Sequence, residues 1–249
     1  MSSPNLNNII LLGCIIAYTY VCVKGMDARS LPVLCQIRGF FVVIAFSLIF
    51  GALLAKTWRV YIIFTKAYYL RKRAPKDFHL FIQIGVITGI NVTIMVLWEI
   101  LSPSYPKEKK LYNSKVLDPD NDREVVDIVW HCVSDYDEHF RFLVFGFQAT
   151  ILLFGVFLAF TTRKVNIPIL NDSKVIGLCI YNVIVLSIVG VPISLVLNDN
   201  FSLKYGLIST IIILGTTITQ CLIFVPKVLA LKKYLKGDES ECHSTSTNR

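Results

Sequence analysis

Leu31–Thr57 reads LPVLCQIRGFFVVIAFSLIFGALLAKT. A helix rises 1.5 Å per residue, so roughly 20 residues cross the hydrocarbon core of a bilayer, and this block is long enough to do so. Working outward from it, five further apolar blocks have spanning length: Asn8–Val23, Phe78–Leu101, Phe140–Thr161, Val175–Leu197 and Tyr205–Leu231. The composition agrees, with 54% hydrophobic and only 17% charged residues, where a soluble domain carries about 25% charged. The mean hydropathy is +0.60. The first block resembles the apolar region of a signal peptide. Met1–Asn8 carries no positive charge, however, and no small-residue cleavage site follows cleanly, so it is read as a span. The expected fold is an all-α membrane protein with six spanning helices.

Lysine and arginine placement orients the chain. Lys56, Arg59, Lys66, Arg71, Lys72, Arg73 and Lys76 follow the second span, Arg163, Lys164 and Lys174 follow the fourth, and Lys227, Lys232, Lys233 and Lys236 follow or close the sixth. These segments share one side, and positive charge places it in the cytoplasm. Both termini are then cytoplasmic, and the acidic loop of roughly 38 residues at Ser102–His139 is outside. That loop is expected to form a partly ordered hairpin or lid. The organisation expected is a cytoplasmic start over 1–7, a transmembrane bundle over 8–231 with its outer loop at 102–139, and a disordered polar tail over 232–249. The net charge of +8 would suit a nucleic acid, but it sits in short segments at the membrane surface, where anionic lipid is the partner. Nucleic-acid binding is excluded on that ground.

The seven cysteines divide by this topology. Cys14, Cys179 and Cys221 fall within spans, and Cys242 lies in the reducing cytoplasm. Cys35, at the outer start of the second span, and Cys132, in the outer loop, face an oxidising compartment and form the natural disulfide. Cys22 competes less well because it sits nearer the membrane interior. Of three glycosylation sequons, Asn91 lies within a span and Asn171 on the cytoplasmic side, while Asn200 is outside but close to the membrane. The four histidines show no metal-ligand spacing, and there is no nucleophile elbow or phosphate-binding loop. No enzyme, metal or cofactor is implied. Glu99, the one acid in an apolar block, is expected to snorkel to the outer interface.

Three segments carry a resemblance: GALLAKTWRVYIIF (Gly51–Phe64), IPILNDSKVIGLCIYNV (Ile167–Val183) and FVPKVLAL (Phe224–Leu231). Each resembles the matching cytoplasmic-face segment of class C G-protein-coupled receptors, specifically the metabotropic type-B GABA receptors. The opening MSSPNLNNIILLG is similar to their first intracellular loop and second helix, and SSPNLNN and IPILNDSK look more like the G-protein-coupling subunit 2. The resemblance implies six helices of a seven-transmembrane bundle. It also implies a fragment or truncated isoform without the counterpart of the first helix and the extracellular ligand domain. The charge-based topology, six spans with both ends inside, agrees.

The resemblance also implies roles. Lys56 and Asp172, at the inner ends of the second and fifth spans, match a charged pair similar to the family's cytoplasmic lock; without the resemblance they read as boundary charges. Arg71, Lys72, Arg73 and Lys76 are accounted for by positive-inside topology, and the resemblance adds a surface that contacts a heterotrimeric G protein. Tyr181 and Asn182 lie on the helix that pairs subunits in the family, which implies a heterodimer with a second receptor subunit. An amide there could equally bond within its own bundle, and Val175 stands where the family often has an aromatic residue. The function expected is transmission of an extracellular rearrangement to a G protein at the plasma membrane. The competing reading is a six-span transporter or channel, which would show intramembrane charges or interrupted helices near the midplane.

Overall fold

A computed structural model describes residues 4–26, 31–70, 77–118, 123–162, 171–196 and 201–246. Among these are six helices and one two-stranded hairpin. The helices are α1 (Pro4–Gly25), α2 (Val33–Leu70), α3 (Asp77–Leu101), α4 (Asp137–Thr162), α5 (Asn171–Val196) and α6 (Phe201–Ser246). Local sequence sets several of their ends. Pro4 opens α1, where a missing N–H costs nothing, and Gly25 closes it. Pro32 precedes α2, and its carbonyl accepts from the Cys35 N–H at 3.0 Å.

Five helices are long and apolar enough to cross a membrane: Pro4–Gly25, Val33–Ile63, Asp77–Leu101, Asp137–Thr162 and Ser202–Lys232. In α5 the apolar stretch is Val175–Gly190, but the helix runs 26 residues, enough to cross at 1.5 Å per residue. Large apolar side chains cover the outside of the bundle, including Phe142, Ile100, Phe160 and Leu153. That inverts the pattern of a soluble protein and suits lipid.

α2 is the central post, packing against α1, α3, α4 and α5, while α6 closes against α1 and α5. Every residue from Gly51 to Thr57 is buried, as expected for a helix apolar all round. The main core surrounds this stretch and joins Leu6 and Ile10 of α1, Leu80 and Ile84 of α3, Cys179 and Ile180 of α5 and Ile223 of α6. A smaller outer cluster joins Val43, Met95 and Val144.

Lipid offers no hydrophobic drive between helices, so close approach and polar contacts hold them together. Gly13 shows the first. A Cβ there would lie 2.8 Å from Ile49 Cγ1 and 3.2 Å from the Ala45 carbonyl oxygen. Gly13→Leu should therefore push α1 off α2 and cost about 1 to 3 kcal/mol. Thermal unfolding in detergent checks this, and an unchanged midpoint would show that the contact does not hold α1. Asn91 shows the second. It is 0% exposed and donates from Nδ2 to Ser47 Oγ at 2.8 Å, while Ser47 donates to the Val43 carbonyl at 2.8 Å. Burial of this kind leaves no room for a glycan on Asn91.

The outer loop is an antiparallel hairpin of β1 (Tyr105–Asp118) and β2 (Arg123–Val133), with an irregularity between Leu111 and Val116. The tail differs from expectation: α6 continues as helix to Ser246, where polar composition predicted disorder over 232–249. Propagating an existing helix adds one hydrogen bond per residue fixed without a new nucleus, and no proline follows Pro226 to stop it.

Candidate functional site

Polar groups gather at the two ends of the bundle. At the inner end, Asn7 lies near the start of α1, and its Oδ1 accepts from Lys56 Nζ of α2 and from Lys227 Nζ of α6, the latter at 3.1 Å. Lys56 is only 9% exposed, so its ammonium has left water and the amide oxygen compensates part of that loss. One side chain thereby ties three helices. The backbone of Asp172 is in the first turn of α5, and its side chain lies outside the described residues. Arg71, Lys72, Arg73 and Lys76 also lie outside them. A charge-assisted contact of this kind is a discrete arrangement that a shift of α1, α2 or α6 would break.

At the outer end, Cys132 of β2 is bonded to Cys35 of α2, with Cα atoms 5.5 Å apart. The pairing read from topology is therefore present, and the competing Cys22 is a free thiol. Arg38, one turn along α2, donates from Nη2 to the Met26 carbonyl at 2.5 Å and from Nη1 to Cys132 Sγ at 3.6 Å. It links the end of α1 to the disulfide.

The base of the hairpin is fixed by a second network. Ser134 donates to the Ser102 carbonyl at 2.9 Å. Its single proton is then spent, so in the 2.8 Å contact between the two hydroxyls Ser102 is the donor. Trp98 Nε1–H also donates to Ser134 Oγ at 2.9 Å, and the Tyr136 N–H to Ser102 Oγ at 3.2 Å. Glu99 accepts from the Ser104 N–H and hydroxyl at 3.1 and 2.9 Å, so it turns to the loop just past the end of its own helix.

On α5 the two residues read as a subunit contact part company. Tyr181 is 65% exposed. Asn182 donates from Nδ2 to the Gly215 carbonyl of α6 at 3.3 Å, the within-bundle alternative. Asn182→Ala should weaken the α5–α6 contact by about 0.6 to 2 kcal/mol, read as a lower unfolding midpoint. No change would show that the amide contributes nothing to packing.

Asn7, Arg38, Ser102 and Ser134 were not singled out by sequence. Lys227 was seen only as a boundary charge, although a lone lysine between Pro226 and Val228 in an apolar stretch was a usable signal. For the serines there was none.

Six helices, tied at one end by cations and carrying a disulfide-anchored hairpin at the other, fit a six-helix portion of a seven-transmembrane receptor bundle. The family described as "7 transmembrane sweet-taste receptor of 3 GCPR" matches residues 1–227. The chain belongs to this family, the class C G-protein-coupled receptors. It is 36% identical over 248 residues to the gamma-aminobutyric acid type B receptor subunit 2 of Caenorhabditis elegans, covering 98% of this chain and 29% of that one. It is 33% identical over 240 residues to human subunit 2 (93% and 25%) and 28% over 237 residues to rat subunit 1 (92% and 25%). The chain thus spans less than a third of the length of these curated relatives. It is a multi-pass membrane protein of a receptor family, not of an enzyme family.

Proposed function

We propose that this chain is the signal-transmitting bundle of a type-B GABA receptor-like receptor at the plasma membrane. A rearrangement imposed from outside, through the hairpin and its disulfide, shifts the helices and opens the inner face to a heterotrimeric G protein. The observation that carries this is the inner cluster, where Asn7 accepts from cations of α2 and α6. Such a contact favours whichever packing keeps the inner ends together, so losing it shifts an existing equilibrium. Asp172, at the start of α5, completes a lock with Lys56 in this reading. Arg71, Lys72, Arg73 and Lys76 supply part of the G-protein-facing surface.

The partner subunit is a second receptor chain of the same family, met through the exposed face of α5 around Tyr181. Support comes from the relatives, which are named as numbered subunits of one receptor. Asn182, engaged with Gly215, belongs to the bundle in this arrangement.

The test is nucleotide exchange on a heterotrimeric G protein in membranes carrying the chain, compared with Asp172→Ala. The variant should raise exchange severalfold without any agonist. Equal rates, with both chains present at equal surface level, would remove the lock from the proposal.

A further inference from the structure

α3 and α4 both lean on α2 but meet each other mainly at their outer ends. There the Trp98 and Phe140 rings stack with centroids 5.5 Å apart, and Met95 joins Val144. Towards the inner leaflet they part, leaving a furrow floored by α2. Its inner end is an open groove of about 300 Å³ lined by Trp58, His79, Ile82, Gln83 and Phe154. The Trp58 and Phe154 rings stand 6.1 Å apart, tilted by 40°. Further along α3, Gly85 and Gly89 have no heavy atom within 4 Å of where a Cβ would stand, so the wall beyond Ile82 is smooth.

We propose that this groove binds a sterol from the inner leaflet, with the sterol hydroxyl at His79 and Gln83 and its flat ring system against Trp58, Ile82 and Phe154. The groove lies within the membrane-crossing length of α3, so what reaches it is lipid. Gln83 is six residues from the start of α3, about 9 Å along the helix axis, below the level of phosphate headgroups. Taking a charged phosphate to that depth is costly, whereas a neutral hydroxyl needs only a hydrogen-bonding partner. Gln83 is an uncharged amide that can both donate and accept, and the imidazole of His79 lines the same groove. At the inner rim, Arg59 is engaged by Asp77 at 2.9 Å, so the cation beside Trp58 already has its carboxylate. A rigid, planar molecule loses little conformational entropy on lying against fixed rings and a glycine-smoothed wall, which favours a sterol over an acyl chain.

The experiment is photolabelling of the full chain in cell membranes with a diazirine-bearing cholesterol analogue, followed by peptide mapping. Label is expected within 77–89 and 153–157. Excess cholesterol should compete it away, and the 3α-hydroxy epimer should compete about fivefold less well, the loss of one hydrogen bond. Ile82→Trp, which fills the groove, should abolish the label, while Ile15→Trp on the exposed face of α1 should leave it unchanged. Should Ile82→Trp fail to fold, Gln83→Leu is expected to keep the fold and erase the preference between epimers. The proposal is overturned by label spread evenly over all lipid-facing helices, or by equal competition from the two epimers. It is overturned too if a photoreactive phosphatidylcholine labels the same peptides in a manner that cholesterol does not displace.

Discussion

Replacing Cys35 and Cys132 together by serine is expected to lower the unfolding midpoint of the chain in detergent by about 10 °C. The bond joins residues 97 apart, and closing a loop of about 100 residues is worth about 4.7 kcal/mol in the chain-entropy model. For a chain of this length each kcal/mol moves the midpoint by about 2 to 4 °C. The low end applies because the spans stay inserted when their packing is lost, so the bilayer already restricts part of that loop. The local effect is larger than the global one. A two-stranded hairpin alone in water is marginal. Without the bond, β1 and β2 would be held at their base chiefly by the Ser102–Ser134–Trp98 network. Limited proteolysis should therefore cut near β2 in the double-serine chain and in the reduced wild type alike. Equal midpoints and equal cleavage with and without reductant would show that the disulfide constrains nothing the bundle does not already hold.

The second large effect is expected at the inner face. An exposed ion pair contributes about 0 to 1 kcal/mol, while removing one partner of a buried pair costs about 3 to 5. Lys56 is nearly buried but sits at the water boundary, so about 1 to 2 kcal/mol is the expected coupling to Asp172. That moves a two-state equilibrium by about five- to thirtyfold. Lys56→Asp and Asp172→Lys should each raise agonist-independent nucleotide exchange on the G protein. Combining them should return it towards the starting rate. Additive single effects in the double variant would mean that the two charges are not coupled. Asn7→Leu adds an independent arm: it deprives Lys56 and Lys227 of a shared acceptor and should raise exchange by itself.

The apolar blocks and their spacing were legible in the sequence because a bilayer imposes a length and a polarity on each helix separately. Val33–Ile63 crosses as a helix whatever it packs against, and the expected second span, Leu31–Thr57, lies almost wholly inside α2. The Cys35–Cys132 pair followed from which side of the membrane each residue is on, again a property of the chain read one segment at a time. The class C family was legible for a different reason, that three inner-face segments keep their residue order.

What tertiary structure decided were the choices between neighbours that sequence leaves equal. Nothing in NLNN distinguishes Asn7 from Asn5 or Asn8. Only the crossing of α1, α2 and α6 puts the Asn7 oxygen between two ammonium groups. Asn182 and Tyr181 are adjacent, and a turn of about 100° separates an amide facing α6 from a phenol on the exposed face of the bundle. Polarity alone reads the end of α6 as disordered, but helix continuation depends on the bonds already formed behind it. Membrane insertion acts on each segment alone, so it is written along the chain; a polar contact between helices depends on rotation and depth of both partners, and these exist only once the helices have packed.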